Sequence, residues 1–243
     1  KVRRFFREWL DYEKGPDIFK EKTFATSGLM FGNHRDSRFA SLYNLITQPF
    51  PDSFTGPSLI EQLDDTIARI VVEDQAVLRT LLTTHRFYVS SNLDPSWEGK
   101  AWMTPLAETM PLFFGLEEDV GYSREERWVE FDPGKRTGVL GHPAWLSAHG
   151  GNFEDGPSLI HRGHWIRENL LCQDVPGLEN VQVQAQLKAR SAELSARERV
   201  RISTEVTVDE DTGEEHANME CMGCHSMMNS LGKPFELFNH AGV

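Results

Sequence analysis

The sequence predicts a mainly α protein with long irregular connections and little β structure. Three observations carry that expectation: two stretches keep apolar residues at helical spacing, capping-box patterns open further helices, and runs rich in Gly and Pro separate them. At 243 residues the chain is long enough to bury a sizeable core, as one large domain or two small ones. Apolar content of 39% with 26% charged residues is that of a soluble globular protein.

The first helix is expected over residues 2–13. Val2, Phe5, Phe6, Trp9 and Leu10 share one face, and Arg3, Arg4, Arg7 and Glu8 share the other, which describes a packing helix and not a basic binding arm. Ser58-Leu-Ile-Glu61 has the form of a capping box ahead of a longer helix over 59–83. Its apolar stripe runs from Leu59 through Leu63, Ile67, Ile70 and Val77 to Leu82, and Asp64, Asp65, Glu73 and Asp74 read as its solvated face. Residues 23–57 and 90–138 read as irregular, apart from a short helix near 38–45. Pro95, Pro105, Pro111 and Pro133 interrupt the second of these stretches. Trp97, Trp102, Phe113, Phe114 and Trp128 either fill core gaps or cover a flat cofactor.

Gly156-Pro-Ser158 starts a further helix through His161, Arg162 and Trp165, and Cys172 reads as a buried thiol at a helix end. Gly56-Pro-Ser-Leu-Ile60 and Gly156-Pro-Ser-Leu-Ile160 diverge at once beyond the shared run, so they are two similar helix starts and not a repeat. Val181–Leu187 alternates like a short strand or extended arm, and Ser195-Ala-Arg-Glu198 is a second capping box. The acidic run Asp209–Glu215 lacks the full oxygen pattern of a calcium loop and reads as a hairpin turn or solvated loop.

One motif specifies chemistry. Cys221-Met-Gly-Cys224-His225 is C-x-x-C-H, in which two thiols can each add to a haem vinyl group and the next histidine can ligate the iron. Two other readings stay open at this point: zinc held by Cys221 and Cys224 with His216 or His240, and a redox dithiol. The haem reading divides the chain into a helical domain over 1–137 and a haem-binding helical domain over 138–243, with one covalent haem c. His225 is then the axial ligand. A sixth ligand must come from elsewhere, because Met227 and Met228 lie within one turn of His225; His142 and His149 head the candidates, ahead of His161, His164, His240, Met103 and Met110.

A net charge of −12 without a basic cluster beyond the first residues argues against nucleic acid and for a neutral or cationic redox partner. No apolar run reaches the roughly 20 residues that span a bilayer. Covalent haem implies a periplasmic or extracellular bacterial setting, with an export segment ahead of Lys1. The function expected is electron transfer. The alternatives are a haem peroxidase or related oxidoreductase, using His142, His149 or Arg162 on the distal side, and a structural subunit of a larger extracellular redox assembly.

The run from Cys221 through His225, Met228, Asn229, Leu231, Gly232, Glu236, Phe238 and Asn239 to Gly242 resembles the C-x-x-C-H-x-x-M-[DN]-x-L-G signature of the planctomycete-type cytochrome-like proteins, a family of unknown function, in a myxobacterial-like form. Residues 138–172 are similar to the segment preceding that signature, and Arg3–Lys22 with Ser58–Asn92 to the helical domain upstream. The resemblance implies an extracytoplasmic haem protein and a longer parent chain. It implies no reaction.

Overall fold

The computed structural model describes residues 1–14, 55–73, 75–89, 127–150, 159–176, 194–209, 211–238 and 242, and the fold they form is mainly helical. The expected short helix at 38–45, the strand at 181–187 and the aromatics Trp97, Trp102, Phe113 and Phe114 lie outside the described residues. Contacts divide the chain into two compact units: Lys1–Ala148 with Ala241–Val243, and His149–His240.

In the first unit α1 spans Val2–Leu10, and Asp11 ends it in the left-handed conformation at φ 52°. A 3-10 turn, Tyr12–Lys14, follows. Of the expected apolar face only Phe6 and Leu10 are buried, whereas Val2 and Phe5 are exposed, Phe5 at 59%. The supposedly polar side supplies a key anchor instead. Arg7 forms an ion pair with Asp64, and the Tyr12 hydroxyl donates to the same carboxylate at 2.6 Å.

Asp64 is fully buried, which corrects the reading of it as part of a solvated face. Asp65 takes an ion pair from Arg3. Burial, then the adjacent Asp64 carboxylate, pushes the Tyr12 hydroxyl far above its ordinary pKa and keeps it a donor.

The expected single helix over 59–83 is two: α2, Thr55–Glu73, and α3, Val77–Thr83. Since α2 starts at Thr55, Ser58 lies inside the helix and not at its start, where the capping-box reading put it. Leu59, Leu63 and Ile67 are completely buried, as the period requires, but Leu78, which the single expected stripe included, lies beyond the break and is exposed.

Two strands, β1 (Arg86–Val89) and β2 (Arg127–Glu130), pair antiparallel with Phe87 opposite Val129 and Tyr88 opposite Trp128. Thr66 of α2 fastens this ribbon by accepting the Tyr88 amide N–H at 2.9 Å. The Arg69 guanidinium lies 3.6 Å from the centre of the Tyr88 ring. Beyond β2, the chain reaches α4, Pro143–Ala148, whose Trp145 and Leu146 complete this core.

In the second unit α5 spans Leu159–Trp165 and runs on as a π-helical turn, Ile166–Leu170. Cys172 follows at φ 51°, exposed, which corrects its reading as a buried thiol; it stands beyond Leu170, the last residue of that turn, and next to Leu171, itself 47% exposed. The Ser195 half of the expected capping box forms, Ser195 Oγ accepting the Glu198 amide N–H at 3.1 Å to open α6, Ala196–Val200, which continues as the π-helical turn Arg201–Glu205, while the Glu198 carboxylate accepts from Arg201. The acidic run is the turn of a hairpin between β3, Val206–Val208, and β4, Glu215–Ala217. Arg201 ties that hairpin to α6 by pairing with both Glu198 and Glu215.

The last helix, α7, spans Met219–Gly232 and passes into a 3-10 segment, Lys233–Leu237. It packs on α5 with backbone almost touching backbone. A Cβ on Gly163 would stand 2.0 Å from the Met228 carbonyl oxygen, and one on Gly232 would stand 1.8 Å from that of Leu159. Glycine at both positions is what permits the crossing. Leu159, Ala196 and Val200 pack together beside it, with Ile160 and Phe235 against them.

Candidate haem-attachment site

The C-x-x-C-H motif lies in the first half of α7. Asn218 caps that helix, its Oδ1 accepting the Cys221 amide N–H at 3.1 Å, while its own amide N–H donates to the Glu205 carbonyl at 2.9 Å. The cap therefore fixes the backbone at Cys221. Helical spacing then brings Cys221, Cys224 and His225 to one face, since residues three and four apart are neighbours on an α-helix. All three side chains are half-buried, and both thiols are free.

His225 is oriented from within the same helix. Its Nδ1 lies 3.4 Å from Oδ1 of Asn229, one turn further on. The buried Asn229 amide nitrogen donates to Thr204 Oγ1 and to Glu205 Oε1, both at 3.0 Å, and Lys233 Nζ pairs with the same Glu205 oxygen at 2.9 Å. Burial alone would raise the Glu205 carboxyl, but the hydrogen bonds from Lys233 and Asn229 outweigh it and hold the group below its ordinary pKa. Neither Asn218 nor Asn229 declares a site role by residue type; an Asn three before Cys221 and another four after His225 are the helical spacings that mark them.

This donor set fits a c-type haem: two thiols three apart on one helix face, and a histidine whose Nδ1 is engaged so that Nε2 keeps the lone pair. The alternative zinc set of Cys221, Cys224 and His216 is not assembled, since no cluster of three or more His, Cys, Asp or Glu side chains able to hold a metal ion occurs among the described residues. His240 lies outside them.

The sixth-ligand candidates sit in different settings. His142 belongs to the first unit and is fully buried, with Nδ1 accepting the Ala144 amide N–H at 3.1 Å and the ring edge-on to Phe87 at 5.5 Å. Accepting at Nδ1 puts the proton of a neutral imidazole on Nε2. Burial, and then the charge of Arg136, pushes its pKa well below the ordinary histidine value. His149 belongs to the second unit, as His225 does, and rests on Trp165 of α5 with ring centres 5.0 Å apart. His164 is half-exposed and 3.3 Å from Glu168.

Arg162, named as a distal group for a peroxidase, is fully buried and donates to the carbonyls of Phe235 and Phe238 at 3.1 and 3.0 Å, so it ties the 3-10 segment after α7 to α5. Burial lowers its pKa to about 9. Arg136 makes a comparable clamp in the first unit, donating to the carbonyls of Gly141 and Gly242 at 2.7 and 2.9 Å.

Residues 136–243, less than half of the chain, match the family PSCyt3, described as a protein of unknown function (DUF1588). The name points to a cytochrome-like domain, and the description leaves the activity open. No curated protein and no solved structure matches the chain. No helix among the described residues is long and apolar enough to cross a membrane.

Proposed function

We propose that the protein is an extracytoplasmic c-type haem protein that transfers electrons. The observation that carries this reading is the single helix face on which Cys221, Cys224 and His225 come together, with the thiols free and the histidine Nδ1 engaged by Asn229. Cys221 and Cys224 would hold one haem through thioethers, and His225 would ligate its iron. When bound, such a group supplies a reversible one-electron couple.

The chain's own residues set the conditions of that couple. Asn218 fixes the start of α7, Asn229 orients the histidine ring, and the glycine-mediated contact of α5 with α7 keeps the helix from sliding. Of the two leading sixth-ligand candidates, His149 is preferred, because the imidazole of His142 already accepts a backbone N–H inside the core of the first unit. Exposed acids on the β3–β4 hairpin, among them Asp209, Asp211 and Glu214, precede α7 directly and suit a cationic redox partner. Covalent haem attachment places such a protein in the periplasm or outside the bacterial cell.

Spectroscopy of the matured protein tests the reading. Electron transfer predicts a low-spin, six-coordinate iron that cycles reversibly and ignores peroxide and carbon monoxide. A high-spin iron that turns over peroxide would replace it with the peroxidase reading. His149→Ala is expected to convert the low-spin spectrum, and His142→Gln is not.

A further inference from the structure

We infer that Asn229 is a positioning residue that sets the reduction equilibrium of an iron held by His225, an inference that rests on the haem reading above. Its amide is committed in both directions. Glu205 carboxylate can only accept, so the group facing it at 3.0 Å is the Asn229 nitrogen. Thr204 agrees, because its hydroxyl donates to the Val200 carbonyl at 2.6 Å and so accepts from the same nitrogen at 3.0 Å. Oδ1 is thereby the atom turned to His225 Nδ1, and an oxygen there requires the proton on Nδ1. Nε2 is left with the lone pair that a metal needs.

The network also has an electronic consequence. A carboxylate on the nitrogen side of the amide polarises it and enriches Oδ1, and a hydrogen bond from Nδ1 to that oxygen gives the imidazole more anionic character. An imidazole of that kind favours ferric over ferrous iron. Lys233 holds Glu205 in place at 2.9 Å, and α6 brings Thr204 and Glu205 to α7, so two separate elements maintain the alignment.

The test uses the full chain with its haem matured. Asn229→Leu removes the acceptor at similar volume without changing charge, and is expected to make reduction three- to tenfold more favourable, tenfold being about 59 mV for a one-electron couple. Solvent exchange of the His225 Nδ1 proton, followed by NMR, should quicken in the same variant. Should Asn229→Leu fail to fold, the double variant Glu205→Gln/Asn229→Asp keeps the shape, the net charge and a donor facing residue 229, now from the Gln amide, and offers His225 a stronger acceptor, with the potential expected to move to more negative values. A residue serving only the fold would not give opposite shifts in the two variants. Covalent haem in both variants with the wild-type potential and exchange rate overturns the inference and leaves the haem reading standing. A wild-type chain that carries no covalent haem overturns the haem reading, and the inference with it.

Discussion

Replacing Gly163, Gly232 and Gly223 by alanine, one at a time, separates helix propensity from helix packing. All three lie in helices, so propensity alone predicts that each alanine stabilises by about 0.5–1 kcal/mol. Gly223 has nothing within 4 Å of a would-be Cβ, and there the propensity gain should appear in full. At Gly163 and Gly232 the new Cβ would meet carbonyl oxygens at 2.0 and 1.8 Å, below the 3.0 Å that real Cβ atoms respect. Both obstacles are backbone, so the helices themselves must move apart by about 1 Å, and overpacking of that kind costs about 1–3 kcal/mol. The net expectation is a loss of up to about 2 kcal/mol at either tight site. Urea unfolding followed by circular dichroism reads the difference as a shift in midpoint at constant slope. If Gly232→Ala proved as stable as Gly223→Ala, the close crossing of α5 and α7 would be refuted.

Asp64→Ala should destabilise the first unit by about 3 kcal/mol, because it leaves the Tyr12 hydroxyl facing a buried gap and Arg7 with Glu13 alone; an unchanged urea midpoint would refute the buried cluster. His142 has a folded pKa below its unfolded value near 6.5, so the unfolded chain binds the extra proton and stability falls as pH drops below about 6.5, by at most about 1.4 kcal/mol per pH unit. Midpoints measured between pH 7.5 and 5.5 should show this loss in the wild type and not in His142→Gln. A thiol reagent should label Cys172 in the folded protein without denaturant, and protection until unfolding would contradict its exposure.

Much of the helical framework follows from local pattern. Leu59, Leu63, Ile67 and Ile70 repeat at helical spacing and are buried; Ser195 and Glu198 specify their cap within four residues. What was not legible depends on distant partners. Asp64 looks like a surface acid until Arg7 and Tyr12 reach it from over 50 residues away. Gln75 and Ala76 are adequate helix formers, so the break between α2 and α3 leaves no trace in composition. The strand Arg86–Val89 exists because Arg127–Glu130 pairs with it across a long stretch of sequence.

The site divides in the same way. Cys221, Cys224 and His225 announce themselves by spacing, and Asn229 is reachable by adding one helical turn. Thr204 and Glu205, which orient Asn229, sit at the end of a different helix and carry no local signal of that role. Gly163 and Gly232 likewise show their purpose only when the two helices are brought together.

The most direct measurement is mass spectrometry of peptides from protein that has been exported through a cytochrome maturation system. A peptide containing Cys221 and Cys224 should carry one haem that survives acid extraction, with neither thiol open to alkylation. Two alkylatable thiols on that peptide, with every trace of haem removed by acid, would contradict the account at its centre.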